Sequence, residues 1–150
     1  MNIEINFATA DDLPQLAGLL AELFTLENDF APERVKQLRG LRLILDNPAQ
    51  GRLFVARDGA KIAGMANALI SISTAEGGRV LLLEDVIVDS EYRGRGLGRA
   101  LVEHVFAWAK VEDMLRVTLL ADRDNHAALG FYHRLGFEHS NMLVLRKSLI

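Results

Sequence analysis

The chain of 150 residues contains no cysteine. That absence excludes a disulfide framework, an iron–sulfur cluster, a thiolate zinc site and a cysteine nucleophile. Proline is scarce, with three residues, and no Pro/Ser-rich tract, repeat or low-complexity stretch marks a linker. One domain over residues 1–150 is expected. No apolar run approaches the roughly 20 residues that span a bilayer. The start, Met1-Asn2-Ile3-Glu4-Ile5, lacks the basic and apolar regions of a secretory signal. A cytoplasmic protein with no membrane partner is the expectation. An excess of one charge is missing too, since 17 Lys and Arg face 20 Asp and Glu. No basic face predicts nucleic-acid binding.

What is present reads as a globular domain. Hydrophobic residues make up 50% of the chain and charged residues 25%, at a length that buries about 70% of the unfolded surface. Ile3, Ile5 and Phe7 alternate with polar residues, as in a strand. Leu13, Leu16, Ala17, Leu20, Leu23 and Phe24 then follow helical spacing. Pro14 requires that helix to begin at about Leu13, within the first turn. A second helix is predicted from Pro32 to about Leu45. Leu53–Ala56, the turn Asp58-Gly59 and Ile62–Ile72 read as a hairpin. Val80–Val88 is almost continuously apolar apart from Glu84-Asp85, which suits a strand buried on both faces.

Further elements complete the pattern. Gly96–Lys110 is predicted as a helix, with Trp108 and Phe106 under the sheet. Leu115–Ala121 reads as a buried strand and Asn125–Leu135 as a helix ended by Gly136. Met142–Leu145 reads as a last strand, with one more short strand near Phe137. This order predicts a mixed α/β fold: a mostly antiparallel central sheet, helices on both faces, and one right-handed β-α-β crossover over residues 80–121.

The most informative stretch is Arg93-Gly94-Arg95-Gly96-Leu97-Gly98-Arg99, where a buried strand empties into a loop that opens a helix. Glycine admits positive φ and close backbone approach. Unpaired N–H groups and the dipole at a helix start favour an anion, and arginines add charge-assisted bonds to phosphate. The stretch therefore reads as a phosphate or pyrophosphate site, against the plainer reading of a tight strand-to-helix turn. A Walker A loop is excluded because no Lys lies between residues 62 and 109. A dinucleotide fingerprint starting at Gly94 needs glycine where Arg99 stands.

These residues resemble the acyl-coenzyme A loop of the GNAT superfamily of N-acetyltransferases, Gln/Arg-x-x-Gly-x-Gly/Ala. Asn125-His126-Ala127-Ala128-Leu129-Gly130-Phe131-Tyr132, followed by Gly136-Phe137, is similar to a second element of that family. The resemblance implies a GNAT-type sheet and acetyl-CoA as co-substrate, with no metal. It implies that Val86, Ile87 and Val88 hold the pantetheine and thioester by their backbone, and that residues Arg93–Arg99 (Gly94, Arg95, Gly96, Leu97 and Gly98 between them) hold the pyrophosphate. Asn125 matches a residue contacting the cofactor arm. Tyr132 matches the proton donor to the departing sulfur, and also a cofactor contact.

Leu83-Glu84-Asp85 resembles a stretch of polyamine acetyltransferases in which the glutamate acts as base through water. Glu84 is preferred as the base here, with Asp85 left open, because alternation puts the two on opposite strand faces and a bulge would disturb that register. Phe24, Glu27, Phe30 and Asp85 are candidates for the acceptor side, where acids beside aromatics suit a cationic amine. His126, His133 and His139 lack the spacing of helical metal ligands, so no metal site is expected. The expected activity is acetyl transfer from acetyl-CoA to a primary amine, small and cationic or polyamine-like, by direct attack in a ternary complex. A protein N-terminal amine is the second acceptor class. The rival of another kind is a non-catalytic, regulatory acyl-CoA-binding module, which would need neither Glu84 nor Tyr132. A small-molecule amine is the expected partner, and a homodimer is left open because no residues specify an interface.

Overall fold

The computed structural model describes residues 2–26 and 33–150. They divide into two compact units, residues 1–120 and residues 121–150.

The first unit is built on a five-stranded sheet in chain order: β1 (Ile3–Phe7), β2 (Gly51–Asp58), β3 (Lys61–Ser73), β4 (Gly78–Val88) and β5 (Val117–Leu119). The first four run antiparallel to their neighbours, and β5 lies parallel to β4. Successive side chains on β2 alternate between the two faces. Leu53 and Val55 join Leu16 and Leu20 of α1 (Leu13–Leu26) and Leu41 of α2 (Arg34–Leu45) in one buried cluster. Phe54 points the other way, its ring 5.4 Å from Trp108 and 5.9 Å from His104 of α3 (Leu97–Val111). Helices thus cover both faces, each fully buried leucine contributing about 1.5–3 kcal/mol. Trp108 and Phe106 are half-buried rather than central to the core.

A 3-10 turn, Ala10–Asp12, leads into α1. Thr9 and Asp12 form a capping box, the Thr9 N–H donating to Asp12 Oδ2 at 2.8 Å. Arg57 on β2 donates to both Asp12 oxygens at 2.7 Å, so the helix start is tied to the sheet. Pro14 then falls in the first turn, as the sequence requires.

The β4-α3-β5 crossover is present, but β5 is shorter than predicted. It pairs only as Leu81↔Val117, Leu82↔Thr118 and Leu83↔Leu119. Leu115 and Leu120, counted into a buried strand from sequence, are 51% and 49% exposed. β5 ends the described sheet with only three paired residues, and apolar content alone does not reveal where a ladder stops. Past Leu83, β4 runs on to Val88 with no β5 rung.

Gly64 on β3 stands opposite Val88 and lets α3 close on this end of the sheet. A Cβ there would lie 2.9 Å from Leu101 Cδ1 and 3.1 Å from the Ile87 carbonyl oxygen. Gly64→Ala is expected to destabilise the protein by about 1–3 kcal/mol through overpacking. Urea denaturation checks it, and unchanged stability would mean that Leu101 yields freely.

In the second unit, α4 (His126–Arg134) is followed by Gly136 at φ +97°. The strands predicted at Met142–Leu145 and near Phe137 are absent, since residues 137–150 enter no ladder. Met142 is 84% and Leu145 92% exposed. A Met-Leu-Val-Leu run has strand propensity, but that propensity expresses fit to a half-buried pleated surface, which these residues lack.

Candidate active site

The middle of β4 is irregular. Asn67 on β3 faces Glu84, yet Met65, two residues back, faces Ile87, three residues on. β4 therefore carries one extra residue at Asp85-Val86, a bulge. Asp85 takes φ +51°, in the left-handed region that Asp tolerates better than most residues. Its carboxylate accepts a 2.6 Å hydrogen bond from Asn67 Nδ2. Burial, reinforced by the neighbouring Glu84 charge and only partly offset by Asn67, pushes the Asp85 carboxyl up to about 6. Glu84, preferred as base from sequence, is half-buried one residue before the bulge. The strain, the buried partner and the raised proton affinity all fall on Asp85.

Val86 in the bulge and Val88 beyond it are half-buried, and the Ile87 side chain lies in the core against α1. The strand end is fixed from both sides of the chain. Asp89 N–H donates to the Ala63 carbonyl at 2.8 Å, and Arg93 Nε donates to the Val88 carbonyl at 3.1 Å. A short turn, Ser90–Tyr92, leads into the glycine–arginine loop.

Gly94 and Gly96 sit at φ +77° and +78°, and a Cβ at either would meet nothing within 4 Å. Backbone conformation, not space, dictates glycine at both. The Leu97 side chain is 5% exposed, so only its backbone can serve a ligand. Ala100 N–H closes the first turn of α3 on the Gly96 carbonyl at 3.1 Å. The N–H groups of Leu97, Gly98 and Arg99 precede it, at the positive end of the helix.

The arginines divide their roles. Arg93 reaches Glu22 of α1 at 3.2 Å, and Arg99 pairs with Glu103 one turn on at 2.8 Å. These ion pairs are solvent-exposed, worth about 0–1 kcal/mol each, so an incoming anion displaces them at small cost. Arg95 lies over the Tyr92 ring, 5.7 Å from its centroid. Nothing in the sequence pattern singles out Tyr92. Its hydroxyl donates to Asp58 Oδ2 at 2.6 Å and holds that carboxyl below the usual range, tying the loop to the β2–β3 turn. Lys61 adds a 2.7 Å pair to Glu91. No local pattern marks these contacts, which join residues far apart in the chain.

In the second unit, Asn125 caps α4, its Oδ1 accepting from Ala128 N–H at 3.1 Å. Tyr132 is half-buried between Phe131 and Phe137, with ring centroids 5.1 and 5.7 Å away. His133 Nε2 and His139 Nδ1 are 3.1 Å apart, and His126 is exposed. Phe24 packs half-buried against the α1 core, while Glu27 and Phe30 lie outside the described residues. Among the described residues, no three His, Asp or Glu form a metal-binding group. No helix among them is long and apolar enough to cross a membrane.

Residues 19–137 match the sequence model of the acetyltransferase (GNAT) family. The chain belongs to this family. An uncharacterized N-acetyltransferase of Methanocaldococcus jannaschii is 36% identical over 72 residues, which cover 48% of this GNAT chain and 32% of that protein. The glucosamine 6-phosphate N-acetyltransferase of Trypanosoma brucei brucei is 33% identical over 87 residues, 57% of each. The chain spans about a third to just over half of the length of these curated relatives. A possible acetyltransferase from Clostridium difficile 630 has the same fold, with a TM-score of 0.89, 21% identity, and coverage of 100% of this chain and 99% of its own.

Proposed function

We propose that this GNAT chain transfers an acetyl group from acetyl-CoA to a primary amine, by direct attack in a ternary complex. The observation that carries the reading is the glycine–arginine loop at the end of β4, with two glycines at positive φ and the first N–H groups of α3 beyond them. That cradle fits a pyrophosphate by its backbone dipoles, and Arg93, Arg95 and Arg99 supply the charge. Along Val86–Val88, where β4 has outrun β5, backbone groups suit an extended, amide-bearing arm. The Val88 N–H is assigned to the oxygen of the thioester as negative charge develops there.

The acceptor poses the next problem. A free alkylamine has a pKa of about 10.4 and is mostly ammonium at neutral pH, so it must lose a proton to attack. Asp85 is assigned this role ahead of Glu84. It is ionised at pH 7, yet with a midpoint near 6 it holds a proton more tightly than an ordinary aspartate. The acidic pair Glu84-Asp85 also favours a cationic acceptor, of which a small or polyamine-like amine is the first choice and a protein N-terminus the second. The T. brucei brucei relative is named for glucosamine 6-phosphate, a small primary amine that also carries an anionic phosphate, so it supports a small amine and not a cationic one. The family match spans both compact units, which supports one acetyltransferase domain. A cytoplasmic homodimer completes the reading.

Tyr132 is assigned the proton for the departing thiolate and Asn125 a contact to the cofactor arm, both on the family resemblance. Tyr132→Phe is expected to lower kcat about 10²-fold with little change in KM for acetyl-CoA. Equal turnover in both proteins would remove the assignment. The reading as a whole is tested by thiol release over a panel of primary amines. Release that depends on both acetyl-CoA and an amine is expected. Tight acetyl-CoA binding with no amine-dependent release would leave the non-catalytic module as the function.

A further inference from the structure

We infer that Asn67 is a positioning residue for the reaction: its buried carboxamide clamps the Asp85 carboxylate across the β3–β4 bulge and keeps it ready to accept a proton. The inference rests on Asp85 being the base. Asn67 stands mid-strand on β3, only 2% exposed, between Leu53 on β2 and Glu84 on β4. Its Nδ2 donates to Asp85 at 2.6 Å, while its Oδ1 is fully buried with no hydrogen-bond partner among the described residues.

That orphaned oxygen is informative. A buried polar atom without a partner destabilises the fold, and an apolar residue of similar volume would avoid the penalty. That penalty is set against the charge-assisted bond Nδ2 gives a buried carboxylate, which an apolar residue would leave without a donor. What the residue supplies is one donor, aimed at a carboxylate held in a strained backbone conformation. The groups acting on Asp85 are few. Among the described residues, burial and Glu84, from its own strand, both oppose its ionisation, and Asn67, from β3, favours it. Without the carboxamide, Asp85 would stay protonated to higher pH and its carboxyl would lose its orientation.

The pair is tested in the intact protein by NMR, with Asp85→Asn used to assign the carboxyl resonance. The Asp85 carboxyl carbon and the Asn67 side-chain amide are expected to titrate together, with one midpoint near 6. In Asn67→Leu and Asn67→Ser, the Asp85 midpoint should rise by about one pH unit or more, a tenfold change in proton affinity. The pH profile of kcat should move with it, while KM for acetyl-CoA stays put. An Asn67 amide indifferent to pH through the Asp85 midpoint would overturn the clamp, even where neither variant folds. So would an unshifted midpoint in either folded variant. Co-titration alongside wild-type turnover in Asp85→Asn would overturn the base assignment instead, and with it the catalytic meaning of the pair.

Discussion

Asp85→Asn is expected to make the protein more stable and nearly inactive. The two effects have one origin. Asp85 is ionised at neutral pH inside the sheet, where burial and Glu84 raise its pKa from the ordinary carboxylate value to about 6. An acid whose folded pKa is raised binds a proton more tightly in the native state than in the unfolded chain. Its penalty is absent below the unfolded value and complete above the folded one. At pH 7 and above the shift corresponds to up to about 3 kcal/mol. Asparagine removes that charge, accepts the same bond from Asn67, and tolerates the left-handed backbone at φ +51°. The melting temperature at pH 7–8 should rise by about 2–4 °C for each kcal/mol gained, and the gain should vanish below about pH 4. Acetyl transfer should fall by roughly 10²–10⁴-fold, the usual contribution of a general base. In the parent protein, kcat/KM should rise with pH through about 6 as Asp85 ionises. Thermal unfolding and thiol release on the same preparations check both signs. A variant that is more stable and fully active would move the base role to Glu84.

The second large effect is purely structural and opposite in sign. Asp12→Ala is expected to cost about 3 kcal/mol or more, because it strips the partner from a half-buried guanidinium. The Asp12 side chain is 6% exposed and that of Arg57 23%. Arg57, the first cause, together with the Thr9 N–H, holds the Asp12 carboxyl below the usual carboxylate range against its own burial. A lowered acid pKa stabilises the native state above the unfolded value, and the contribution is lost as pH falls through the folded one. The loss in Asp12→Ala should therefore be full at pH 7 and shrink as acid protonates Asp12 in the parent. Asp12→Asn keeps an acceptor for Thr9 and should lose less. Urea denaturation at pH 7 and at pH 3 reads both. At a temperature where the variant stays folded, its KM for acetyl-CoA should match the parent's, since Asp12 touches no part of the proposed site.

Much of this account is legible in the residues themselves. Helical spacing on α1 and α3, and the glycines at the start of α3, act locally, so pattern alone locates them. The acidic pair on β4 is equally visible. What is hidden is the bulge, and with it the backbone and the buried bond of Asp85, because an apolar run gives no alternation by which an inserted residue could be noticed. Asn67 is hidden for a similar reason: inside Ile62–Ile72 it reads as one polar residue on a core strand. The Tyr92–Asp58 and Arg93–Glu22 bonds join distant positions and leave no periodic trace. Met142–Leu145 shows the converse error, since strand-like composition is not a strand without a partner to pair with.

The central claim is that the glycine–arginine loop binds acetyl-CoA, and thermal unfolding with and without that ligand tests it most directly, with ATP and NAD as controls. A ligand at 100 times its dissociation constant adds about 2.7 kcal/mol to native stability, a shift of several degrees for a chain of this size. Such a shift with acetyl-CoA, and not with the controls, is the predicted result. No shift at millimolar acetyl-CoA, with one from ATP or NAD instead, would contradict the assignment of the loop and the transferase reading built on it.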